Sequence, residues 1–391
     1  MTALIFFSSI LAEQLVLQTF QTPLSYAGKD FENLLCYGTV NCPTQALSWL
    51  SVEGRRIIDQ SGQEIVLHGV NLEALSVRTI AGFEGAFNCD ISEMIKRLNC
   101  LGARVIRLCL EGQKWSYPEY VILVDKIVAA TEDNGMYIIL SFHRWDENWT
   151  GAIGLQSKAD LIMGVKDQQP FLDFWTSVAS RFKDNPAVLY SLLNEPNAGN
   201  YKLDDVASAW YDLALKTSRI IHRINPKALI LVSTLFDWPS MRLVYFDKHP
   251  IPEPNVAYVW HDYYAHDLIA GVFQYAMDYS AGNLAEAKIE LGQFLNDTVL
   301  FMLSLDLPII MEECGASAEF YVSTTKEYVD IPNWDVEIQH RYELYRKSNL
   351  GWIQWIWKKT SLEWGGFGLL EDDAITLTPQ GTLFAENVNQ Y

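Results

Sequence analysis

Polar and aromatic side chains recur in this chain where short apolar runs end. Asn71 closes the first run and Arg107 lies in the second. His143 closes the third, and Asn194 and Glu195 close the fourth. His261 and Tyr263 lie in the sixth, Glu313 closes the seventh and Trp355 lies in the eighth. A polar group at the end of an apolar segment is costly unless it is paired or used. One such group would be unremarkable, but a recurring set of carboxylates, imidazoles, amide and guanidinium is hard to explain as packing.

The runs themselves must position that set. They are IVLHGVN (65–71), RVIRLCL (104–110), YIILSFH (137–143), AVLYSLL (187–193), ALILVST (228–234), VAYVWHDY (256–263), LPIIMEE (307–313) and GWIQWIW (351–357). Continuous and rich in β-branched residues, they read as strands buried on both faces. Between them, apolar residues recur with helical spacing: Ile91, Met94, Ile95, Leu98 and Leu101; Phe171, Phe174, Trp175, Val178 and Phe182; Val206, Ala209, Leu213, Thr217, Ile220 and Ile224. Asp90 is a plausible N-cap for the first stripe and Gly102 a plausible stop. Eight strand–helix units in roughly 290 residues predict an α/β fold, a (β/α)8 TIM barrel, whose functional residues lie at the C-terminal ends of the strands. A doubly wound sheet would want a Gly-rich phosphate turn after an early strand, and there is no G-x-G-x-x-G.

The expected organisation is one domain. Residues 1–50 form an N-terminal extension with a signal-like start, packed on the barrel, and 51–391 form the catalytic barrel. SVEGRRIIDQSGQEI (51–65) looks like a hairpin turning at Ser61-Gly62 and closing the barrel floor.

The motifs resemble those of glycoside hydrolase family 5. LLNEPNAG (192–199) is similar to its Asn-Glu-Pro motif, and PIIMEECG (308–315) to a strand ending Glu-x-Gly. LHGVN (67–71), GARVIRL (102–108), IILSFH (138–143), HDY (261–263) and GWIQW (351–355) are similar to its first, Arg, His, His-x-Tyr and Trp strands. The resemblance covers residues 50–390, with seven motifs in order.

It implies retaining hydrolysis of a β-glycosidic bond by two carboxyl groups about 5–5.5 Å apart. Glu195 would be the acid/base, its pKa raised in part by an ionised Glu313, the nucleophile. Arg107 would hold Glu313 ionised, Asn194 would bind the sugar 2-hydroxyl, and Tyr263 would contact the nucleophile. His143 and His261 would position sugar or carboxyl, and Trp355 would form a stacking floor.

Plainer readings stand beside these. Glu195 could be a helix N-terminal charge before Pro196. Glu312 rivals Glu313; because neighbours on a strand point to opposite sides, only one would face the mouth. Arg104 rivals Arg107. His143 and His261 could be core histidines, and Trp355 could be packing. His68 and Asn71 could brace Arg107 and its neighbours as readily as touch sugar. Trp145, Trp149, Trp238, Trp357 and Trp364 are cleft candidates. Two departures from the family pattern leave the subfamily open: Cys109, where Pro is often found, and Cys314, where an aromatic residue or Gly is common.

A net charge of -19 and a pI of about 4.7 argue against nucleic acid, while a neutral polymer would not be repelled. The 13 Trp and 19 Tyr suit sugar stacking as well as core filling. Six cysteines are too few for a disulfide scaffold. Cys36 and Cys42 could close a short loop, whereas Cys89, Cys100, Cys109 and Cys314 read as buried thiols. The absence of C-x-x-C and H-E-x-x-H patterns predicts no catalytic metal, and no cofactor is expected. The stretch TALIFFSSILA is too short to span a bilayer and lacks the basic residues of a typical signal peptide. With sequons at Asn148 and Asn296, it gives an expectation of secretion and of no integral membrane segment. The expected substrate is a β-linked polysaccharide or oligosaccharide. An endo-β-1,4-glucanase comes first. β-Mannanase, β-1,3-glucanase, xyloglucanase and glycolipid-cleaving endoglycosidase share the mechanism, and a non-catalytic carbohydrate-binding barrel is the reading from another class.

Overall fold

The computed structural model describes residues 46–149, 151–237, 240–242, 245–322, 327–358, 367–370 and 377–388. The expected extension over 1–50, with its signal-like start and the Cys36–Cys42 loop, lies outside these residues except for 46–50.

Eight parallel strands close into a barrel. They are β1 His68–Glu73, β2 Val105–Glu111, β3 Tyr137–Arg144, β4 Val188–Ser191, β5 Ile230–Ser233, β6 Val256–Tyr263, β7 Ile309–Gly315 and β8 Gly351–Gln354. Each apolar run holds one strand, and the order around the barrel follows the order along the chain, with β8 pairing β1. β4 ends before its run does. The Leu192 N–H still donates to the Leu231 carbonyl of β5 at 3.0 Å, and beyond it the chain turns, with the Asn194 N–H donating to the Phe142 carbonyl at 2.8 Å.

Close approach of backbones explains two glycines. A Cβ on Gly69 would lie 1.8 Å from the Val105 carbonyl oxygen, and one on Gly351 would lie 2.5 Å from that of Leu67. Neither strand could sit against its neighbour with a side chain there.

The lower interior is a plug of Leu67, Val105, Ile139, Leu189, Leu231, Val259, Ile310 and Ile353, with Leu50 and Ile57 from the floor in the same cluster. The floor differs in detail from expectation. Ser51–Glu53 pairs with Arg56–Ile58 around a turn at Gly54, whose φ is 58°. Ser61-Gly62 makes a second turn, capped by the Asp59 carboxylate, which accepts from the Ser61 and Gln63 N–H groups. Gly54 was the missed signal, since a tighter turn with positive φ favours it.

The three helical stripes form the helices Ile91–Cys100, Gln169–Phe182 and Leu203–Ile224, the first two with the expected face buried. On the third, Val206, Leu213 and Thr217 are buried but Ala209, Ile220 and Ile224 only half-buried, because the covered face runs through Ala207, Trp210, Ala214 and Ile221. Asp90 caps the first, accepting from the Ser92 and Glu93 N–H groups, and Gly102 follows its end at φ 104°. None of the helices among the described residues is long and apolar enough to cross a membrane.

Helix Trp334–Lys347 is held to the outer face of β6 by buried charge. Arg341 pairs with Asp262 and with Glu337, and donates to the Tyr275 hydroxyl at 2.8 Å. Tyr345 donates to Asp262 at 2.7 Å, and Tyr275 donates to Asp267.

Cys109 and Cys314 are buried free thiols, and Cys89 is a free thiol at the surface margin. Cys100 corrects the expectation. It is disulfide-bonded, and its partner lies outside the described residues. Both sequon asparagines, Asn148 and Asn296, are exposed.

Candidate active site

Strand alternation carries the apolar plug upward into a polar layer. Two residues above Val105 comes Arg107, above Ile139 comes Ser141, above Leu189 comes Ser191, and above Val259 comes His261. Arg107 is fully buried and organises the layer. Its Nη1 donates to the Asn71 side-chain oxygen at 3.0 Å and to Glu313 Oε1 at 2.6 Å. Nη2 donates to Ser141 Oγ at 2.9 Å and to the Asn194 side-chain oxygen at 2.8 Å. Nε faces Glu312 Oε1 at 3.1 Å. Both Nη atoms thus donate to acceptors, whereas Nε meets Glu312 as an ion pair without a hydrogen bond. Burial opposes the charge, but the carboxylates of Glu312 and Glu313 outweigh it and hold the group cationic.

The expectation that only one of Glu312 and Glu313 faces the barrel mouth is wrong. Met311 pairs with Trp260, and Glu313, not Glu312, pairs with His261. One extra residue is therefore accommodated in β7, as a β-bulge. Parity places Glu312 inward above Ile310, and the bulge then turns Glu313 inward as well. Both carboxylates reach Arg107 and both approach His261. Cys314 returns to the outer side, opposite Asp262 and Gln354.

Glu313 is nearly enclosed, with Oε1 on Arg107 and Oε2 accepting from the Tyr263 hydroxyl at 2.8 Å. Glu195 is more open, its side chain 23% exposed. It sits in a bend at φ 45°, in the left-handed region that costs a non-glycine residue about 1 kcal/mol or more. The next helix begins at Leu203, so Glu195 is not a helix N-terminal charge. His261 Nδ1 lies 3.1 Å from Glu195 Oε1 and 3.4 Å from Glu313 Oε2. One donor atom from each of Glu195, His261 and Glu313 falls within 4.8 Å of the others. A cation could fit such a trio by distance alone, but Arg107 and Tyr263 already occupy the two Glu313 oxygens.

Burial would lower the His261 pKa, but Glu313, Glu195 and Glu312 outweigh it and raise it to about 9. His143 is driven the other way. Burial first, then the nearby Arg107 and Lys158 cations, hold it well below the usual imidazole range. The neutral His143 ring stacks 5.8 Å from the Trp355 ring at 17° and lies 3.4 Å from the Asn194 amide nitrogen. Burial raises the Tyr263 pKa well above its usual value, and Glu313 adds to this, so its phenol stays a donor.

The remaining sequence candidates separate cleanly. Asn71 braces: its amide donates to the carbonyls of Glu312, Ile353 and Gln354 at 3.2–3.3 Å, and its oxygen takes Arg107. His68 lies at the start of β1, where burial first and Arg104 second lower its pKa to about 4. Arg104 therefore belongs to the opposite end from Arg107. Trp149 and Trp357 are buried, Trp145 stacks on Phe142, and Trp238 and Trp364 lie outside the described residues.

Lys158 escaped the sequence reading. On helix Gly151–Ile162 it is 6% exposed, and burial lowers its pKa while Glu195 and Glu313 oppose the shift. It makes no hydrogen bond or ion pair among the described residues. Nothing in the local run LQSKADL distinguishes it from an ordinary exposed helical lysine.

A family model described as Cellulase (glycosyl hydrolase family 5) matches residues 58–361. Endoglucanase A of Butyrivibrio fibrisolvens is 28% identical over 222 residues, 55% of this chain and 45% of the relative. Endoglucanase N of Pectobacterium atrosepticum is 25% identical over 278 residues, 70% of this chain and 51% of the relative. The chain thus spans about half the length of these curated relatives. Among solved structures, a β-glucanase from Saccharophagus degradans superposes with a TM-score of 0.66 at 19% identity, covering 89% of this chain and 94% of that one. The catalytic domain of the major endoglucanase of Xanthomonas campestris superposes with a TM-score of 0.62 at 19% identity, covering 86% and 99%.

Proposed function

The chain belongs to glycosyl hydrolase family 5, and from that premise we propose that it hydrolyses β-1,4-glucan chains with retention of configuration, with Glu195 as acid/base and Glu313 as nucleophile. The observation that carries this reading is the meeting of Glu195 and Glu313 around His261, one donor atom from each of the three within 4.8 Å of the others. That is the separation range of a double displacement, not the wider gap that leaves room for an attacking water.

The division of roles follows from surroundings. Glu313, clamped by Arg107 and Tyr263, is suited to attack the anomeric carbon as an oriented carboxylate. Glu195, more exposed, is suited to give a proton to the departing oxygen and then to activate water. Asn194, tied to Arg107, would meet the 2-hydroxyl, and Trp355 against His143 would floor the cleaved sugar.

Glucan as substrate is supported by relatives named endoglucanase and by a Saccharophagus degradans β-glucanase solved with cellotetraose. Secretion is supported by the Cys100 disulfide, by the exposed sequons and by a relative named major extracellular endoglucanase. The test is product analysis on cellulose-type glucan, β-1,3-glucan, mannan and xyloglucan, with NMR of the first-formed anomer. β-Anomer from β-1,4-glucan is expected. Initial α-anomer would overturn retention, and exclusive turnover of another polymer would replace the substrate.

A further inference from the structure

Glu312 has no exposed surface, and the two-carboxylate chemistry does not call for it. An ionised carboxylate withdrawn from water costs several kcal/mol unless its partners depend on its charge. Its partners do. Oε1 lies 3.1 Å from Arg107 Nε, and Oε2 lies 3.8 Å from His261 Nε2. The other ring nitrogen, His261 Nδ1, faces Glu195 Oε1 at 3.1 Å. The imidazole thus has a carboxylate toward each nitrogen, the arrangement that favours imidazolium.

Without Glu312 the enclosed cations would outnumber the carboxylates that face them. When Glu195 carries its acid proton, the anions are Glu312 and Glu313 and the enclosed cations are Arg107 and His261. Lys158 stands as a further cation at the margin, and His143 is neutral. If His261 lost its Nδ1 proton, that nitrogen would present a lone pair 3.1 Å from Glu195 and would compete for the proton meant for the leaving group.

Taking Glu195 as the acid/base, we propose that Glu312 is a positioning residue: it holds His261 as an imidazolium whose Nδ1–H points at Oε1 of Glu195, so that the acid proton stays on Oε2, toward the departing oxygen. Glu312 acts through His261 and touches no substrate. The bulge in β7 makes this possible, because it brings two consecutive carboxylates to one side of the strand.

Nitrogen-15 NMR of imidazole-labelled protein reads the state of His261 directly, its signals assigned by their loss in His261→Asn. In the wild type both nitrogens are expected to be protonated at neutral pH, with titration near 9. In Glu312→Gln the titration moves down by about one unit or more, and Glu312→Asp restores part of it. The basic limb of kcat for substrates with poor leaving groups moves down with it, while KM is little changed. A wild-type His261 that is neutral at pH 7 overturns the proposal without any variant. So does an unmoved titration in a folded Glu312→Gln. An activated 2-fluoro glycoside is expected to label Glu313 in both proteins. No label in the wild type sinks the two-carboxylate reading and this proposal with it. Label in both with an unmoved His261 sinks only the role of Glu312.

Discussion

Strand β6 carries buried charge on both its faces, and the two clusters differ in what they leave open. His261 and Tyr263 turn inward to Glu195, Glu312, Glu313 and Arg107. Asp262, between them, turns outward to Arg341, Tyr345 and the helix behind. In both clusters a fully buried arginine anchors two carboxylates. In the outer cluster the named acids are closed over by tyrosines and by Arg341, and Asp262, Asp267 and Glu337 are all buried. In the mouth, Glu195 keeps a partly exposed side chain and Lys158 an unpaired ammonium among the described residues. Closed charge ties a helix to a strand, whereas charge with one side left open is ready for a reacting group.

The largest effects should come from the mouth and leave the fold intact. Glu313→Gln is expected to lower kcat on glucan by roughly 10^4-fold or more. Glu195→Gln should cost about 10^2–10^4-fold on poor leaving groups and far less on activated aryl glycosides. Steady-state kinetics on both substrate types checks this, and equal losses for Glu195→Gln would remove it from the acid/base role.

The outer cluster should behave in the opposite way. Arg341→Met strands Asp262 and Glu337 and is expected to destabilise by about 3–5 kcal/mol in denaturant unfolding, while the folded fraction keeps its kcat. A loss of kcat with stability unchanged would erase the distinction between the clusters.

A smaller effect separates them by pH. Burial, opposed by Arg341, pushes Glu337 up to about 7 and Asp267 up to about 8. Raised carboxyl values mean that the folded state holds protons the unfolded chain has released. Their stabilisation is therefore complete below the ordinary carboxyl range and is lost as pH rises through 7 to 8. Glu337→Gln should flatten the fall of Tm across that window relative to the wild type. A parallel fall in both proteins would assign the titration elsewhere.

The smallest effect is expected from Lys158→Met. Removing a cation beside two carboxylates favours their protonated forms. Both limbs of the rate profile should therefore move to higher pH by about half a unit, and Lys158→Arg should move them back. A profile that stays in place would make Lys158 a packing residue.

Much of this was legible in the chain itself, for a local reason. Each barrel strand is a short apolar run and each helix an apolar stripe, and both patterns follow from which faces are covered. Arg107, Asn194, Glu195, His261, Tyr263 and Glu313 were visible because polar groups ending buried runs stand out. Other features depended on partners far along the chain. Alternation argued for one inward glutamate, and only the pairing of β7 with β6 shows the bulge that turns both Glu312 and Glu313 inward. Asn71 stood open between brace and sugar contact until carbonyls more than two hundred residues away were found beside it. Cys100 and Lys158 look ordinary in sequence, because neither a distant sulfur nor a facing carboxylate leaves a local trace. Sequence pattern determines which faces are apolar, since that depends on near neighbours. Tertiary structure alone decides which charges meet, since that depends on a register set by the closed sheet.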